Sequence, residues 1–596
     1  MRICNKTNLK KIQIYLKKHG LMKTVKKLVG KVLQLFVDPY FLWYKKNRPQ
    51  KEELLKQKEE SRNFDYRPVV SIVVPTYHTP TKFLREMIES VLIQSYEKWE
   101  LCIGDGSEGN ESLEQILSEY ARKDKRVVYR ILAKNLGISG NTNAALEMAT
   151  GEYIALLDHD DLLAPNALYE IVKSLQEQKY DILYTDEDKI SKNTKRHMEP
   201  NFKPDYSVDL FRSHNYITHF FLVKKEVQEK AGIFREAFDG AQDYDFMFRC
   251  IEKSESIKHI HKILYHWRMH EKSTAQNPHS KNYAYEAGRK AIEEHYKRIG
   301  VKAVVKYTES PGLYHTVYDL KNSPLVSIII PNMNHVEDLK NCVDSLYQKN
   351  KYQNIEIIIV ENNSTKKDIF EYYQKMQDTH SNFKVVTWKG EFNYAAINNF
   401  AVKAASAEYL LFLNNDTEVI EENAISEMLG CCMREEVSIV GAKLLYKNRT
   451  VQHAGVIIGI AGFAGHAFDS IDEASTGFMM RAIINGNYSA VTAACMMVKK
   501  SCFLEVGGFC EEFKVGLNDI DFCLRVRELN KLVVYNAFSL WFHYESKSRG
   551  YEDTPEKQKR FEREISLFKL KWKKILEQGD PYYNQNLSTD KRPFTL

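Results

Sequence analysis

Two short stretches decide the fold: Pro68-Val-Val-Ser-Ile-Val-Val-Pro75 and, 256 residues further on, Pro324-Leu-Val-Ser-Ile-Ile-Ile-Pro331. Each is a run of β-branched and other apolar residues closed by proline, which is typical of a buried strand in a parallel sheet. A second apolar run follows each stretch, at Glu100–Gly104 in the first case and at Ile355–Val360 in the second. Strands that alternate with helices predict an α/β fold, with a largely parallel sheet between layers of helices.

The repeat continues beyond these strands. Asp158-His-Asp-Asp161 follows an apolar run in the first copy, and Asn414-Asn-Asp416 takes the same place 256 residues later. Further on, Gln242-Asp-Tyr-Asp245 corresponds to Asn518-Asp-Ile-Asp521 at an offset of 276, so about twenty residues are inserted in the second copy. The chain is therefore predicted to be a tandem duplication of one domain.

Length and charge divide the chain further. Its 596 residues contain 85 Lys and Arg against 79 Asp and Glu, for a net charge of +6. Residues 1–48 alone carry +12, so the remainder sums to −6, which argues against a nucleic-acid-binding core. The size predicts two large domains, at residues 68–310 and 323–550, with a charged linker at 51–67 and a carboxyl-terminal helix and tail at 551–596.

The basic arm, residues 1–50, has the pattern of an amphipathic helix. Its apolar residues share one helical stripe, lysines occupy the other faces, and aromatic residues follow from Phe36 to Tyr44; the stripe consists of Leu21, Val25, Leu28, Val32 and Leu35. Such a helix suits an anionic membrane surface, and the alternative is a stripe that packs on the protein's own core. With no secretory signal and no spanning helix predicted, we expect a cytoplasmic protein that is peripheral on the inner face of the cell membrane.

In combination and in order, the motifs resemble those of family 2 glycosyltransferases with the GT-A fold, twice over. The match runs from about Pro68 to Arg549. Its motifs in the first copy are Val-Pro-Thr-Tyr77, Asp105-Gly-Ser107, Asn135-Leu-Gly137, Leu-Leu-Asp158-His-Asp-Asp161, Gln242-Asp-Tyr-Asp245 and His266-Trp-Arg268. The second copy adds Phe392–Asn399 and His543–Gly550, and Asp580–Asn584 follows beyond that span. Together they are similar to bacterial enzymes of O-antigen, rhamnan and other surface-polysaccharide assembly, many of them rhamnosyltransferases.

The resemblance implies two Rossmann-like nucleotide-sugar-binding domains. It also implies transfer of a sugar, with inversion, from dTDP-rhamnose or a UDP-sugar to a growing, lipid-linked glycan. The implied partners are the nucleotide-sugar donor, the glycan acceptor and the anionic membrane surface, with no nucleic acid.

The acidic turns are the predicted metal site. Carboxylates can hold Mg²⁺ or Mn²⁺ against the diphosphate that leaves, and by resemblance Asp158 and Asp160 do so in the first copy and Asp416 in the second. Asn414 stands where the first copy has Asp158, which weakens the prediction for the second copy. The alternative is that Asp160 and Asp161 only cap the helix that begins near Pro165.

The predicted catalytic residues are Asp243 and Asp519. By resemblance each is the general base that accepts the proton of the acceptor hydroxyl. The alternative is a helix-capping aspartate, although a cap alone does not explain a second aspartate two residues later in both copies.

The resemblance places further residues around the nucleotide-sugar. In the first copy these are Thr76, Tyr77, Asp105, Asn135, Asp158, His266 and Arg268, and in the second Asn332, Glu361, Asn362, Asn393, His543 and Arg549. Asn362 is interpreted as the uncharged counterpart of Asp105 at an offset of 257, and His543 as the counterpart of His266 at 277.

Three functions remain open. The favoured interpretation has both domains active. One alternative is an active first domain with a degenerate second, in which Asn362 and Asn414 replace acids. The other is a glycan-binding scaffold without turnover, which requires Asp243 and Asp519 both to be idle.

Overall fold

The structure, a computed structural model, describes residues 38–270, 282–544, 554–590 and 592–596. The described chain forms two α/β domains, each built around one large sheet. Most of the basic arm, including the stripe from Leu21 to Leu35, lies outside the described residues, and so does Arg549. Among the residues that the structure describes, none of the helices combines the length and the apolar character needed to cross a membrane.

Two helices precede the first domain, α1 (Pro39–Asn47) and α2 (Lys51–Arg62). The second of them forms most of the segment that we predicted as a charged linker. Its Gln57 is buried and accepts a hydrogen bond from Ser95 at 3.0 Å, while Arg62 pairs with Glu97 at 3.0 Å. The segment is therefore an ordered helix that lies against the first domain.

The first domain is built on a nine-stranded sheet. Its strands are β1 (Val70–Thr76), β2 (Trp99–Asp105), β3 (Val127–Ile131), β4 (Tyr153–Leu156), β5 (Leu162–Leu163), β6 (Ile182–Ser191), β7 (His197–Asn201), β8 (Phe221–Lys224) and β9 (Ile257–Met269). Its helices are α3 (Thr81–Leu92), α4 (Glu111–Lys123), α5 (Gly137–Leu146), α6 (Ala167–Ser174), α7 (Val208–Ser213), α8 (Lys225–Ala231), α9 (Gln242–Ile251) and α10 (Asn282–Arg298). The strand order is β3-β2-β1-β4-β8-β6-β9-β5, with β7 paired to β6; β1 to β4 are parallel and β8 is antiparallel to both neighbours.

A hairpin of β10 (Ala303–Tyr307) and β11 (Tyr314–Tyr318) leads into the second domain. That domain's strands are β12 (Val326–Asn332), β13 (Ile355–Glu361), β14 (Phe383–Thr387), β15 (Tyr409–Leu413), β16 (Thr417–Val419), β17 (Val437–Leu445), β18 (Val451–His453), β19 (Val456–Ile458), β20 (Ala464–His466), β21 (Gly486–Asn487), β22 (Cys495–Lys499) and β23 (Leu532–His543). Its helices are α11 (Val336–Gln348), α12 (Lys367–Thr379), α13 (Tyr394–Ala401), α14 (Ala424–Cys432), α15 (Lys500–Glu505), α16 (Asn518–Glu528), α17 (Pro555–Lys571) and α18 (Lys573–Gln578). The order β14-β13-β12-β15-β22-β17-β23-β16 repeats that of the first sheet strand for strand, which confirms the duplicated α/β fold.

The two deciding stretches form the central strands β1 and β12, which are buried on both faces. Ile72 and Val74 pack into the apolar cluster on one side of the first sheet, and Val73 packs into the cluster on the other side. In β12, Ile328 packs into the apolar cluster on one side of the second sheet, and Ile329 packs into the cluster on the other side. Successive side chains of a strand point to opposite faces, so only a continuous apolar run can fill both layers.

Strand pairing shows which residues of the two copies correspond. Leu163 pairs with Tyr265, and the equivalent Val419 pairs with Trp541. Trp541 is thus the counterpart of Tyr265, at the offset of 276 that also relates the aspartate motifs. His543 therefore corresponds to Trp267, and the predicted equivalence of His266 and His543 is wrong by one residue.

The two domains meet through a buried ion pair. The Asp209 carboxylate accepts two hydrogen bonds from the Arg434 guanidinium, one of them 2.9 Å long, and both side chains are buried. Asn487 of the second domain also donates to Asp209, at 2.7 Å. A charge pair removed from water needs this degree of hydrogen bonding, so the interface holds the domains in one specific arrangement.

The carboxyl-terminal segment also joins the domains. Asp580 accepts a hydrogen bond from Ser489 of the second domain at 2.7 Å. Four residues later, Asn584 donates to both oxygens of Asp186 in the first domain, at 3.0 and 2.9 Å. The segment therefore crosses from one domain to the other.

The aromatic end of the basic arm packs on the first domain. Tyr40 is buried and donates to Asp188 at 2.6 Å, while the ring of Tyr44 stacks on His197 at 3.8 Å. Trp43 meets Phe202 edge-on at 5.1 Å. These three rings bind the protein's own surface, which is the alternative to a membrane contact for this part of the arm.

Candidate active sites

Three aspartates follow strand β4, and each has a different environment. Asp158 is half exposed, Asp160 is mostly enclosed and Asp161 is fully buried. Asp161 accepts hydrogen bonds from the Tyr265 hydroxyl at 2.6 Å and from the Arg268 backbone N–H at 2.7 Å. Burial raises the pKa of Asp161 well above its usual range. Asp161 therefore fastens the turn to β9. It also offers an oxygen within 4.8 Å of ligand atoms of Asp158 and His219, so these three side chains form a candidate metal site beside Asp160.

The carboxylates of Asp158 and Asp160 each lie beside an imidazole. Asp160 Oδ2 is 2.6 Å from Nε2 of His270, and Asp158 Oδ2 is 3.5 Å from Nε2 of His219. Carboxylate oxygens suit Mg²⁺ and Mn²⁺, and an imidazole can complete the shell of a first-row ion. The residues present thus fit the predicted cation. Sequence reasoning missed both histidines, although His270 follows the quoted Arg268 by only two positions.

A buried polar chain runs from Asp158 into the first domain. His219 Nδ1 is 3.1 Å from Glu187 Oε2, which also accepts from the Lys203 ammonium at 3.3 Å. Burial alone would raise the pKa of Glu187, but Lys203 and His219 outweigh it and lower that pKa to about 2. Burial likewise opposes ionisation of His219, yet Asp158 and Glu187 raise its pKa well above the usual value. Asp158 is therefore held beside a cationic imidazole.

Asp243 stands in the first turn of α9, where it accepts a hydrogen bond from Asn215 Nδ2 at 2.9 Å. Burial raises the pKa of Asp243 above that of an ordinary aspartate. A carboxylate with a raised pKa takes up a proton more readily, which suits a general base.

The second aspartate of each helix motif has a structural explanation. Asp245 is fully buried and lies 2.9 Å from the guanidinium of Arg249, one helical turn later. Asp521 and Arg525 repeat this ion pair at 2.9 Å in the second copy. The recurrence of the second carboxylate therefore reflects helix packing, and it carries no information about the role of the first.

The predicted base-binding residues of the first copy lie together at the ends of β1 and β2. Thr76 Oγ1 donates to Asp105 at 2.8 Å, and Ser107 Oγ donates to the same oxygen at 2.6 Å. Tyr77 is largely exposed beside them. Asn135 accepts a hydrogen bond from the Gly137 N–H at 3.1 Å, in the turn before α5.

His266 and Arg268 are enclosed by protein groups. His266 Nδ1 is 2.6 Å from Asp188, and its Nε2 is 3.3 Å from the Tyr44 hydroxyl. Arg268 is fully buried and ion-paired with Glu86 at 2.7 Å. Their contact with a diphosphate stays a prediction, and both side chains have a structural role without it.

The second copy retains a carboxylate at the position predicted to bind the nucleobase. Thr76 pairs with Asp105 across the first sheet, and Asn332 pairs with Glu361 across the second. Glu361 is therefore the counterpart of Asp105, so the interpretation of Asn362 as an amide replacement was wrong by one residue. Tyr373 donates to Glu361 at 2.8 Å.

Two predicted amides of the second copy are engaged in local hydrogen bonds. Asn393 caps helix α13 by accepting from the Ala396 N–H at 3.1 Å. Asn362 donates to the carbonyl of Gly390 at 3.2 Å. Their role in binding a donor stays a prediction.

The acidic residues of the second copy line one cavity of about 1100 Å³. Asp416 Oδ1 is 3.3 Å from Nε2 of His543, whose Nδ1 is 2.6 Å from the Gln452 side chain. Asp519 and Asn414 line the same cavity. A carboxylate with an adjacent imidazole again fits a divalent cation, and the cavity is large enough for a nucleotide-sugar. Phe561 and residues 592–595 also line it.

Comparison with known sequences agrees with this geometry. The family described as Glycosyl transferase family 2 matches residues 71–238 and 327–507, one stretch in each domain. The chain belongs to glycosyl transferase family 2. Its two matches place Asp105 and Asp160, and equally Glu361 and Asp416, within the family region.

Three relatives show how much of this family 2 chain, and how much of each relative, the sequence matches cover. It is 41% identical over 534 residues to the uncharacterized protein y4gI of Sinorhizobium fredii, covering 89% of this chain and 58% of that one. It is 37% identical over 526 residues to the O-antigen biosynthesis protein RfbC of Myxococcus xanthus, covering 88% and 40%. It is 30% identical over 260 residues to the chondroitin synthase of Escherichia coli, covering 43% and 36%. The chain thus spans about half the length of the curated relatives that it matches.

Proposed function

We propose that this chain is a glycosyltransferase with two working active sites, which adds sugars from a nucleotide-sugar to a growing bacterial surface polysaccharide. The observation that carries the proposal is the recurrence of one acidic arrangement in two copies of the family 2 fold. Asp160 and Asp243 occupy the first domain, and Asp416 and Asp519 occupy equivalent positions in the second. The relative named for O-antigen biosynthesis supports the polysaccharide as product.

In the proposed reaction a hydroxyl of the acceptor attacks the anomeric carbon of the donor sugar. The new C–O bond forms as the bond to the diphosphate breaks, and the diphosphate leaves with that electron pair. Asp243 or Asp519 takes the hydroxyl proton. Because one displacement occurs, the anomeric configuration inverts.

Asp158 and Asp160 would hold the divalent cation in the first domain, and Asp416 in the second. Bound there, Mg²⁺ or Mn²⁺ would neutralise the negative charge that develops on the diphosphate. The protein's own part is to keep the Asp158 carboxylate ionised and oriented. In the first domain the chain of His219, Glu187 and Lys203 behind Asp158 supplies this function.

The donor and the acceptor are proposed from the resemblance in sequence. dTDP-rhamnose is the first candidate donor and UDP-sugars are the second, and the acceptor is a lipid-linked glycan presented at the inner face of the membrane. The one-sided charge of residues 1–48 supports an attachment to anionic lipid.

A nucleotide-release assay tests the proposal. It uses a panel of dTDP- and UDP-sugars with Mg²⁺, Mn²⁺ or EDTA, a lipid-linked glycan acceptor, and the wild type beside Asp243→Asn and Asp519→Asn. We expect metal-dependent release that each substitution lowers by about 10²-fold or more for one transfer step. Asp378→Asn, an exposed change on α12, is the matched control and should release nucleotide at the wild-type rate.

Two results would oppose the proposal. If only Asp243→Asn lowers release, the second domain is a binding module. If wild type neither releases nucleotide from any donor nor binds one, the scaffold interpretation replaces it.

A further inference from the structure

A group of metal-binding side chains lies outside both candidate active sites, where strand β9 begins. Oδ1 of Asp205 is 3.3 Å from Nδ1 of His259 and 3.0 Å from Nε2 of His261. All three atoms lie within 4.8 Å of one another. Ligands bound tetrahedrally to zinc at about 2.0–2.1 Å stand about 3.3 Å apart. The spacing therefore matches the coordination sphere of one metal ion.

The nitrogen of His259 that faces Asp205 is buried, and its 3.3 Å ion pair with that carboxylate lacks hydrogen-bond geometry. The residue is only 3% exposed, so water cannot easily satisfy this nitrogen. Buried polar atoms of folded proteins nearly always have a partner, so such an atom calls for an explanation. A metal ion between His259, His261 and Asp205 would provide it.

The opposite nitrogen of His259 is fixed in the manner of a metal ligand. Nε2 is 2.9 Å from Asp186 Oδ1, and Asp186 also accepts from the Lys203 backbone N–H at 2.8 Å and from Asn584. The ring of Tyr184 stacks on the imidazole at 4.6 Å. A carboxylate that binds the non-ligating nitrogen is the usual support of a metal-bound histidine.

We propose that Asp205, His259 and His261 bind one divalent transition-metal ion of the Zn²⁺ type, with water in the fourth position. Two imidazoles and one carboxylate favour such an ion over Mg²⁺ or Ca²⁺. Asp205 is 41% exposed, which gives the ion a path from solvent.

The site lies where the carboxyl-terminal segment crosses the first domain. Asn586 donates to the carbonyl of His261 at 2.8 Å, and the Asp205 N–H donates to the carbonyl of Pro581 at 2.7 Å. A bound ion would therefore fasten this segment, whose last residues line the cavity of the second domain. The ion has a structural role, separate from the cation of the active sites.

The rival explanation is a pair of protonated histidines that share the Asp205 carboxylate. The amount of metal bound to the protein distinguishes a metal site from a pair of protonated histidines. Full-length protein is stripped with a chelator, loaded with Zn²⁺ in excess Mg²⁺ so that oxygen-rich sites hold magnesium, desalted, and analysed for bound zinc. We expect His261→Gln to retain one zinc fewer per chain than the wild type, and Asp205→Asn likewise.

Two histidine substitutions serve as controls. His315→Gln removes an imidazole with a similar exposure that is 3.0 Å from a single carboxylate, Glu427, with no third ligand. His197→Gln removes one member of a further cluster, formed with Asp188 and His266, whose carboxylate already accepts a hydrogen bond from Tyr40. Both controls should retain the wild-type zinc content. Equal zinc content in wild type and His261→Gln would overturn the proposal.

A second measurement does not depend on whether the variants fold. Wild type loaded with Co²⁺ in excess Mg²⁺ should show the intense visible absorption of a four-coordinate ion, and EDTA should abolish it and lower the melting temperature. A weak spectrum of six-coordinate, oxygen-bound cobalt would contradict the site without any substitution.

Discussion

Burial of the Asp243 carboxyl favours its role as a base but makes its ionised form costly for the stability of the folded protein. Burial raises the pKa of Asp243, so its carboxylate is a better base than an exposed aspartate. The folded state then binds the proton more tightly than the unfolded state does. The stability from this group is therefore present at low pH and declines as the pH rises through the raised pKa.

Asp243→Asn should therefore separate activity from stability. The amide removes the ionisation but can still accept the hydrogen bond from Asn215. We expect transfer by the first domain to fall about 10²-fold or more, while the free energy of unfolding at pH 7 stays equal to or above that of wild type. Urea unfolding beside the transfer assay measures both quantities. A loss of stability in proportion to the loss of activity would show that the residue is mainly structural.

The pH dependence of the wild-type transfer rate also tests whether the pKa of Asp243 is raised. Since Asp243 must be ionised to accept a proton, the rate of the first domain should decline with falling pH at a value above the usual aspartate range.

Lys203 is the counter-ion of the chain behind Asp158. The side chain is fully buried, and its ammonium is 3.3 Å from Glu187. Lys203→Met should lower the free energy of unfolding by about 3–5 kcal/mol, because it removes one of the two cations beside the buried Glu187 carboxylate and leaves His219 alone to balance it. Chemical denaturation measures the change. Lys189→Met is the control: its partner Glu199 is largely exposed, so the loss should stay within about 1 kcal/mol.

At the scale of the elements, the central strands were predictable because burial on both faces demands a continuous apolar run. The same logic predicted the acidic turns, since polar residues directly after such a run lie at the carboxyl edge of the sheet. The repeat predicted that the two sheets share one strand order, but the order itself appears only in the structure. The family resemblance then indicated which of these turns are candidate sites for the chemistry.

Register was the part that the sequence could not resolve. Glu361 and its neighbour Asn362 both fit the repeat as counterparts of Asp105. Phe542 and its neighbour His543 both fit it as counterparts of His266. A slip of one residue moves a side chain to the other face of the sheet. Only the pairing of Asn332 with Glu361 and of Val419 with Trp541 decides between them.

The buried polar side chains that connect to Asp158 were not predicted from the sequence, for another reason. His219, Glu187 and Lys203 come from separate segments, and none belongs to a motif. Buried polar residues of this kind look like ordinary surface residues in a sequence. Their contacts exist only after the sheet has formed.

Helix α1 offers a test at this scale. Tyr40→Phe keeps the ring that packs with Trp43 and Phe202 but removes the hydrogen bond to Asp188. The local stability of Pro39–Asn47 should fall by about 1–3 kcal/mol, since a buried acceptor loses a donor. Amide hydrogen exchange of the helix measures this opening. Leu42→Ala, a change of an exposed side chain on the same helix, should leave the exchange of the flanking amides unaltered.

At the scale of the whole molecule, the two domains share a fold and differ in the support of their acidic turns. Glu187 pairs with Tyr265 in the first sheet, and Leu444 takes its place beside Trp541 in the second. The second site therefore lacks the buried carboxylate and relies on His543 and Gln452 instead. Differences of this kind fit two sites that handle different substrates.

The domains are also fixed relative to each other. The Asp209–Arg434 pair and the carboxyl-terminal segment both cross between them, so the two candidate sites lie at a constant separation. A fixed pair of sites suits successive additions to one acceptor.

The most direct test of two active domains is the length of the product. A lipid-linked acceptor is incubated with all required donors, and its extension is read by mass spectrometry for wild type, Asp243→Asn, Asp519→Asn and an equal mixture of the two variants. We predict that wild type extends the glycan repeatedly, that each variant stalls after at most one addition, at a different sugar or linkage, and that the mixture resumes growth. Extension by Asp519→Asn that equals wild type in length and composition would contradict the account, because the second domain would then contribute no chemistry.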